Sequence, residues 1–212
     1  MKKIASYFVL LIAFLCNSCE EVVEVDLVTA PPKLVIEASI FWEKGTVGNN
    51  QKIKLTYTTS YYNTNIPKVN GATVYVKNSS GTIFNFVELS GTGEYICSDF
   101  IPVIDETYTL TINNGTNTYT ATETLKSVAP ITKIFQNNEG GFTGKNIEIK
   151  TFFIDPANTP NYYLYKYVYS NQIKSNYYVD EDEFFNGNEF FSISQNDDLK
   201  PGDTLEISHF GI

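Results

Sequence analysis

The chain has 212 residues, of which 42% are hydrophobic and 15% aromatic, so it carries enough apolar surface to build one or two cores. Its net charge is -9, and every basic residue is a lysine. An acidic chain without arginine lacks the planar guanidinium group that forms paired hydrogen bonds with bases and phosphates. This argues against nucleic-acid binding. Thr, Val, Ile and Tyr dominate the ordered-looking stretches, and these residue types favour strands.

Residues 1–18 predict a signal peptide. Two lysines precede the apolar run 4–15, which is long enough for the central region of a signal peptide but shorter than the roughly 20 residues of a membrane-spanning helix. The following sequence, Leu15-Cys16-Asn17-Ser18-Cys19, resembles a bacterial lipobox, although a cysteine stands where leucine is usual. The resemblance implies that Cys19 is the lipid attachment site and that the chain is cut before it. The alternative is an ordinary secretory signal that releases a soluble protein.

Residues 19–32 predict an acidic tether that ends at two consecutive prolines. The acidic cluster Glu20–Asp26 directly after the cysteine resembles the surface-export signal of Bacteroidetes-type lipoproteins. That resemblance implies an anchor in the outer membrane, on either its cell-surface or its periplasmic face. A solvated acidic linker is the alternative interpretation of the same residues.

Only one cysteine is expected to keep a free thiol. Cleavage removes Cys16 and lipidation consumes Cys19, so Cys97 remains and an internal disulfide is excluded. The strand-like sequence around Cys97 predicts a small buried hydrophobic residue.

Residues 33–128 predict a β-sandwich domain of the immunoglobulin or prealbumin type. Apolar and polar residues alternate in short runs, and clusters such as Asn78–Gly81 and Ser90–Gly93 supply the turns between them. The predicted strands are 34–41, 52–58, 72–76, 82–89, 94–97, 108–112 and 117–124. Seven short strands with turn residues between them are typical of such sandwiches.

Residues 129–212 predict a second β-rich domain. Its predicted strands are 146–154, 161–170, 172–179, 189–195 and 204–209. This number of strands can close a small sandwich. The chain stops directly after the last strand, which leaves open a sandwich that lacks an edge or a truncated chain.

Four tyrosines at alternate positions are the candidate ligand-binding residues: Tyr163, Tyr165, Tyr167 and Tyr169. In a strand they share one face, where exposed rings could stack against sugars or a partner protein. The alternative is that the four rings form the wide side of the core. Lys166 lies on the opposite face, which favours the core interpretation.

No catalytic, metal or cofactor site is predicted. His209 is the only histidine, and no Gly-x-Ser-x-Gly elbow supplies a nucleophile, so we expect no enzyme. The acidic run Asp180–Glu183 could offer oxygen ligands to calcium, but it lacks the spaced pattern of a calcium loop and is interpreted as a solvated loop.

The order of structural motifs resembles a Bacteroidetes-type family of outer-membrane lipoproteins of unknown function, often encoded beside TonB-dependent receptors. The resemblance rests on the lipobox, on the acidic tether and on five motifs further along the chain. These motifs lie at 32–38, 69–74, 93–95, 107–112 and 199–204. The resemblance implies a lipid-anchored accessory to uptake, with a receptor or a surface glycan as partner, and it brings no catalytic residues. A structural or adhesive surface protein without a small ligand is the alternative.

Overall fold

The computed structural model describes residues 30–194 and 196–212, and this part of the protein is all-β, as predicted. Seven strands come first: β1 (Leu34–Ser39), β2 (Gln51–Tyr57), β3 (Thr73–Asn78), β4 (Ile83–Leu89), β5 (Glu94–Cys97), β6 (Thr107–Asn114) and β7 (Asn117–Thr124). Six more follow: β8 (Ile131–Gly140), β9 (Asn146–Ile154), β10 (Tyr162–Tyr169), β11 (Asn176–Glu181), β12 (Glu189–Ile193) and β13 (Leu205–Gly211). A short 3-10 helix of one turn, Asp182–Phe184, lies between β11 and β12.

The first seven strands form one curled antiparallel sheet, in the order β1-β2-β5-β4-β3-β6-β7. β4 belongs to both halves of this sheet, because residues 83–86 pair with β3 and residues 87–89 pair with β5. The sheet therefore bends over itself at β4 and encloses a core, which gives the sandwich-like arrangement expected for residues 33–128.

Alternation along each strand places the apolar side chains inside the curled sheet. On β2, Gln51 and Ile53 are buried, whereas Lys52 between them faces solvent. On β5, Tyr95 is fully buried, and its hydroxyl accepts a hydrogen bond from the Ala72 amide and donates one to the Val69 carbonyl, each at 3.1 Å. The buried Tyr95 hydroxyl is therefore paired both as a donor and as an acceptor, as a polar group in a low-dielectric interior must be.

The two end strands of the sheet, β1 and β7, border an apolar cleft of about 790 Å³. Within the described residues, these two strands are not hydrogen-bonded to each other. At one end of the cleft, the Asn114 side chain donates a 2.9 Å hydrogen bond to the Tyr57 hydroxyl. At the other end, Gly211 and Ile212 contribute to the lining. In the part of the chain that the structure describes, the first core is thus open along one side.

The second group of strands forms two three-stranded sheets, β11-β10-β13 and β12-β9-β8. Their inner faces share one apolar cluster around Phe153, which is fully buried. The cluster includes Ala129, so the chain enters the second core directly after leaving the first at Leu125. One aromatic contact between the groups joins Phe41 and Phe210, whose ring centroids lie 5.7 Å apart.

The structure adds one strand to the sequence prediction and shifts another. β8 was not predicted, because its pairing with β9 slips between Ile131 and Lys133 and again between Asn137 and Gly140, which breaks the regular alternation. The strand predicted at 172–179 begins at Asn176 instead. The division into domains at residue 128 stays a prediction, although the two core clusters fall on either side of it.

Candidate functional site

The structure buries the four candidate tyrosines in the core of the second group of strands. Tyr163, Tyr165, Tyr167 and Tyr169 are each 0–1% exposed. They lie on the inner face of β10, against the β12-β9-β8 sheet. The core alternative is therefore the observed arrangement, and the four rings do not form an open stacking surface.

Polar groups of the opposite sheet and its following loop pair with the tyrosine hydroxyls. Tyr167 donates a 2.6 Å hydrogen bond to Ser192, and Tyr163 donates a short one to the Asp155 carboxylate. The second oxygen of Asp155 accepts a 2.9 Å hydrogen bond from the Gly187 amide. Asp155 therefore ties β10 to the loop after the 3-10 turn, so this part of the row is a structural network.

Tyr165 breaks the pattern of paired hydroxyls. Its side chain is fully buried, and its hydroxyl has no hydrogen-bond partner among the described residues. Burial raises the pKa of the Tyr165 phenol above its ordinary value. The neutral phenol is therefore the form present in the core, and it offers no ionised nucleophile at neutral pH.

His209, the only histidine, packs flat against Tyr165 in the same core. The two ring centroids lie 4.9 Å apart with 14° between the ring planes, and Phe153 and Tyr163 pack at 4.7 and 5.0 Å. Neither ring nitrogen of His209 has a hydrogen-bond partner in the described part of the chain. Burial lowers the pKa of His209 to about 4. The nearby Ala129 backbone acts in the opposite direction and raises this pKa, but the effect of burial is larger. This histidine is a neutral residue of the second core at neutral pH.

The acidic run 180–183 has a structural role in the fold. Asp182, the first residue of the 3-10 helix, is 6% exposed. Its carboxylate accepts a 2.9 Å hydrogen bond from the Asn186 side chain. Burial raises the pKa of Asp180, whose side chain belongs to the inner face of β11. In the described residues, no three His, Cys, Asp or Glu side chains converge to hold a metal ion.

The surface that remains open on β10 is the one opposite the tyrosine row. Alternation sends Leu164 and Lys166 outward, and the pairing of β10 with β11 and β13 adds outward residues from both neighbours. We call this surface the outer aromatic face, after its apolar and aromatic members Tyr162, Leu164, Tyr177, Val179 and Phe210. The polar residues Lys166, Glu181, Glu206 and Ser208 lie on the same face. Tyr162, Tyr177 and Val179 are 52%, 58% and 67% exposed.

The outer aromatic face extends to the first group of strands. Phe41, which is 60% exposed, meets Phe210 edge to face at the border between the two groups. Contiguous exposed aromatic surface with a few polar groups is typical of sites that bind proteins or sugars. This face, and not the predicted tyrosine row, is the candidate binding surface.

Two sequence predictions concern cysteines. Cys97 is 1% exposed at the end of β5, which confirms it as a buried residue, and burial raises the pKa of its thiol to about 11. Cys19, the predicted lipid attachment site, lies outside the described residues, as do the signal peptide and most of the acidic tether. No helix in the described part of the chain is long and apolar enough to cross a membrane.

Comparison with known protein families gives a match. A family model described as a domain of unknown function (DUF4249) matches residues 20–209. No curated protein matches the chain. Because the matched region covers nearly the whole sequence, the chain belongs to the DUF4249 family.

Proposed function

We propose that this protein is an exported lipoprotein, anchored to the outer membrane through Cys19, whose body is a non-enzymatic binding or accessory module. The N-terminal sequence supports export and lipidation, because a positive start and a short apolar run lead to Ser18-Cys19. The family match begins at Glu20, directly after the proposed lipid attachment site. This agrees with a mature chain that starts at Cys19.

The observation that carries the binding role is the outer aromatic face. Tyr162, Tyr177 and Val179 are all more than half exposed on one sheet surface, and the neighbouring Phe41 is exposed to a similar degree. Exposed apolar side chains that cluster on one surface are informative, whereas single exposed ones are ordinary. A TonB-dependent receptor is the partner proposed for this face, with a surface glycan as the second possibility.

The lipid anchor is tested by Cys19→Ala. We expect the variant to lose fatty-acid labelling completely and to leave the membrane fraction, because the acyl chains provide the stable attachment. Metabolic labelling and membrane fractionation measure the two effects. Cys97→Ser is the matched control and should keep both properties, since Cys97 is buried in the core. Labelling that persists in Cys19→Ala would refute the anchor.

The binding role is tested by Tyr162→Ala combined with Tyr177→Ala. If the face binds an outer-membrane receptor, we expect the double variant to co-purify at least about tenfold less of it, because aromatic anchors dominate interface energies. The control is Tyr61→Ala with Tyr62→Ala, which removes two tyrosines that are 83% and 73% exposed in the loop after β2. A glycan array with the same variants tests the second partner. Equal capture by both pairs, or no capture by the unchanged protein, would favour the structural or adhesive alternative.

A further inference from the structure

We propose that two apolar loops at one end of the first sheet insert into the surface of the membrane that holds the lipid anchor. The inference rests on the proposed anchor at Cys19 and adds a fixed orientation of the body to it. Its grounds are the exposure of the loop side chains, the hydrogen bonds that hold the loops in place and the reach of the tether.

Large apolar side chains are exposed at the end of the sheet where β1 and β5 finish. Loop 40–50 leads from β1 to β2, and loop 98–106 leads from β5 to β6. Because β2 begins beside the last residues of both β1 and β5, the two loops leave the sheet side by side. We call their large exposed members the apolar tip, and these residues are 38–76% exposed: Trp42, Val47, Ile101, Val103 and Ile104.

Gln51 holds the first loop from inside the core. Its buried side chain donates hydrogen bonds to the carbonyls of Phe41 and Gly48 at 2.7 and 2.8 Å, and it accepts one from the Phe41 amide at 3.0 Å. Gly48 has a φ of 70°, and a Cβ at this position would lie only 2.6 Å from the Trp42 ring and 2.7 Å from the Pro102 ring. The two loops are therefore packed against each other at Gly48.

Tyr108 holds the second loop in a similar way. Its hydroxyl accepts a 2.9 Å hydrogen bond from the Val103 amide and donates a 3.1 Å hydrogen bond to the Ile101 carbonyl. Because the backbone is fixed from the core side, the side chains of Ile101 and Val103 remain 63% and 46% exposed. A cluster of exposed apolar side chains on a fixed backbone is typical of a surface that binds a membrane or a protein.

The residue types of the apolar tip suit a lipid surface better than a protein. Four of its five members are aliphatic, whereas protein interfaces are enriched in tyrosine, methionine and arginine. Trp42 is the fifth, and tryptophan is common at the boundary between membrane and water. Its indole N–H already donates a 2.9 Å hydrogen bond to the Thr46 carbonyl, so the ring carries no unpaired donor into the lipid.

The charged groups of the two loops are compatible with a neutral lipid surface. Of the three acidic residues in the second loop, Asp105 forms a 2.8 Å ion pair with Lys126, and Glu106 accepts two hydrogen bonds from Ser79. The first loop contains one acidic residue and one lysine, which are adjacent and opposite in charge. Zwitterionic phospholipid is therefore the surface that we propose for the apolar tip.

The lipid anchor keeps the apolar tip within reach of the bilayer. Residues 20–29 separate Cys19 from Ala30, the first described residue, and a chain of this length reaches at most about 40 Å. β1 has six residues and is about 20 Å long, so either end of the sheet can be brought to the membrane. The opposite end carries loop 58–68, in which most residues are polar. The residue types of the loops therefore favour the end with the apolar tip.

Insertion of the apolar tip would place the outer aromatic face beside the membrane. Phe41 directly precedes Trp42 and meets Phe210 of that face. A partner for the outer aromatic face would then lie in the same membrane, which agrees with the receptor proposed above.

The test uses the fluorescence of Trp42, the only tryptophan in the chain. The full-length lipidated protein is reconstituted into phosphatidylcholine vesicles, with and without bromine on the acyl chains near the headgroup. We expect brominated lipid to quench the Trp42 emission at least about twofold, because the ring would lie at the level of the quencher. Trp42→Phe with Tyr61→Trp moves the reporter to the opposite end of the sheet and should show no quenching.

A second pair of variants tests the apolar side chains themselves. Val47→Asp with Ile101→Asp should remove most of the quenching of Trp42, because carboxylates are costly in lipid. Ile83→Asp with Val87→Asp is the matched control, since these residues are 51% and 71% exposed on the outer side of β4. The control variant should be quenched as strongly as the unchanged protein.

Flotation of the protein with the vesicles measures the lipid anchor separately. A protein that does not float would overturn the anchor, and this inference with it. A protein that floats but shows no quenching of Trp42, or equal quenching in the Tyr61→Trp variant, would overturn the insertion alone. A change in Trp42 emission that requires an added membrane receptor, and not lipid, would assign the apolar tip to a protein partner and would also overturn the proposal.

Discussion

Replacing both Tyr165 and Tyr167 with alanine should unfold the second group of strands. Each ring is fully buried, and truncation of a buried aromatic side chain costs about 3–5 kcal/mol. The sum approaches or exceeds the total stability of many domains, which is about 5–15 kcal/mol. Loss of the Tyr167 ring also leaves the buried Ser192 hydroxyl without this donor.

Hydrogen exchange followed by mass spectrometry measures this effect in each group of strands. Peptides from β9, β10 and β13 should lose protection, whereas peptides from β2 and β5 should keep it if the two cores unfold separately. Tyr165→Phe is the matched control, because it keeps the ring and removes a hydroxyl that has no partner in the described residues. That variant should be at least as stable as the unchanged protein. Full protection of β10 in the double-alanine variant would show that the row is not a core.

His209→Phe should remove most of the acid sensitivity of the second group of strands. The pKa of His209 is lowered from 6.5 to about 4 in the folded protein, so between these values the unfolded chain binds one more proton than the folded chain. The contribution of neutral His209 is fully present above pH 6.5 and is lost as the pH falls toward 4. Phenylalanine has a similar ring, no proton to bind and no nitrogen to leave unpaired.

Urea denaturation at pH 7 and pH 5 measures the difference between the two proteins. The variant should exceed the unchanged protein in free energy of unfolding by more at pH 5 than at pH 7. The reason is that only the unchanged protein has a histidine at position 209 that takes up a proton when the chain unfolds. Glu206→Gln, at an exposed position on the same strand, is a control for general charge effects. The same advantage at both pH values would mean that His209 is not held neutral by the core.

The alternation along β10 was predictable, but the side on which the core would form was not certain from β10 alone. The spacing of the four tyrosines showed that they share a face, and Lys166 indicated which face was wet. The outer aromatic face depends on β11 and β13, which lie beside β10 only in the folded sheet. Phe210 also falls one residue beyond the strand predicted at 204–209, so its place on that face was not evident from the sequence.

The order of the strands in the first sheet could not be predicted from the sequence, because strands far apart in the chain pair with each other. The seven strands of the first group were predicted with bounds close to those observed, because each has a clear alternation and a turn at its end. Their order was not predictable, since β2 pairs with β5 and β3 with β6 across intervening strands. The cleft follows from that order, because only the fold shows that β1 and β7 end the same sheet.

The composition of β7 has a consequence for handling the protein. Residues 117–122 contain neither charge nor proline, and three of the six are threonines with high strand propensity. Such a segment on an open edge is a template for intermolecular cross-β growth, which charged or proline residues usually prevent. We expect concentrated preparations of the protein to aggregate on storage through this edge.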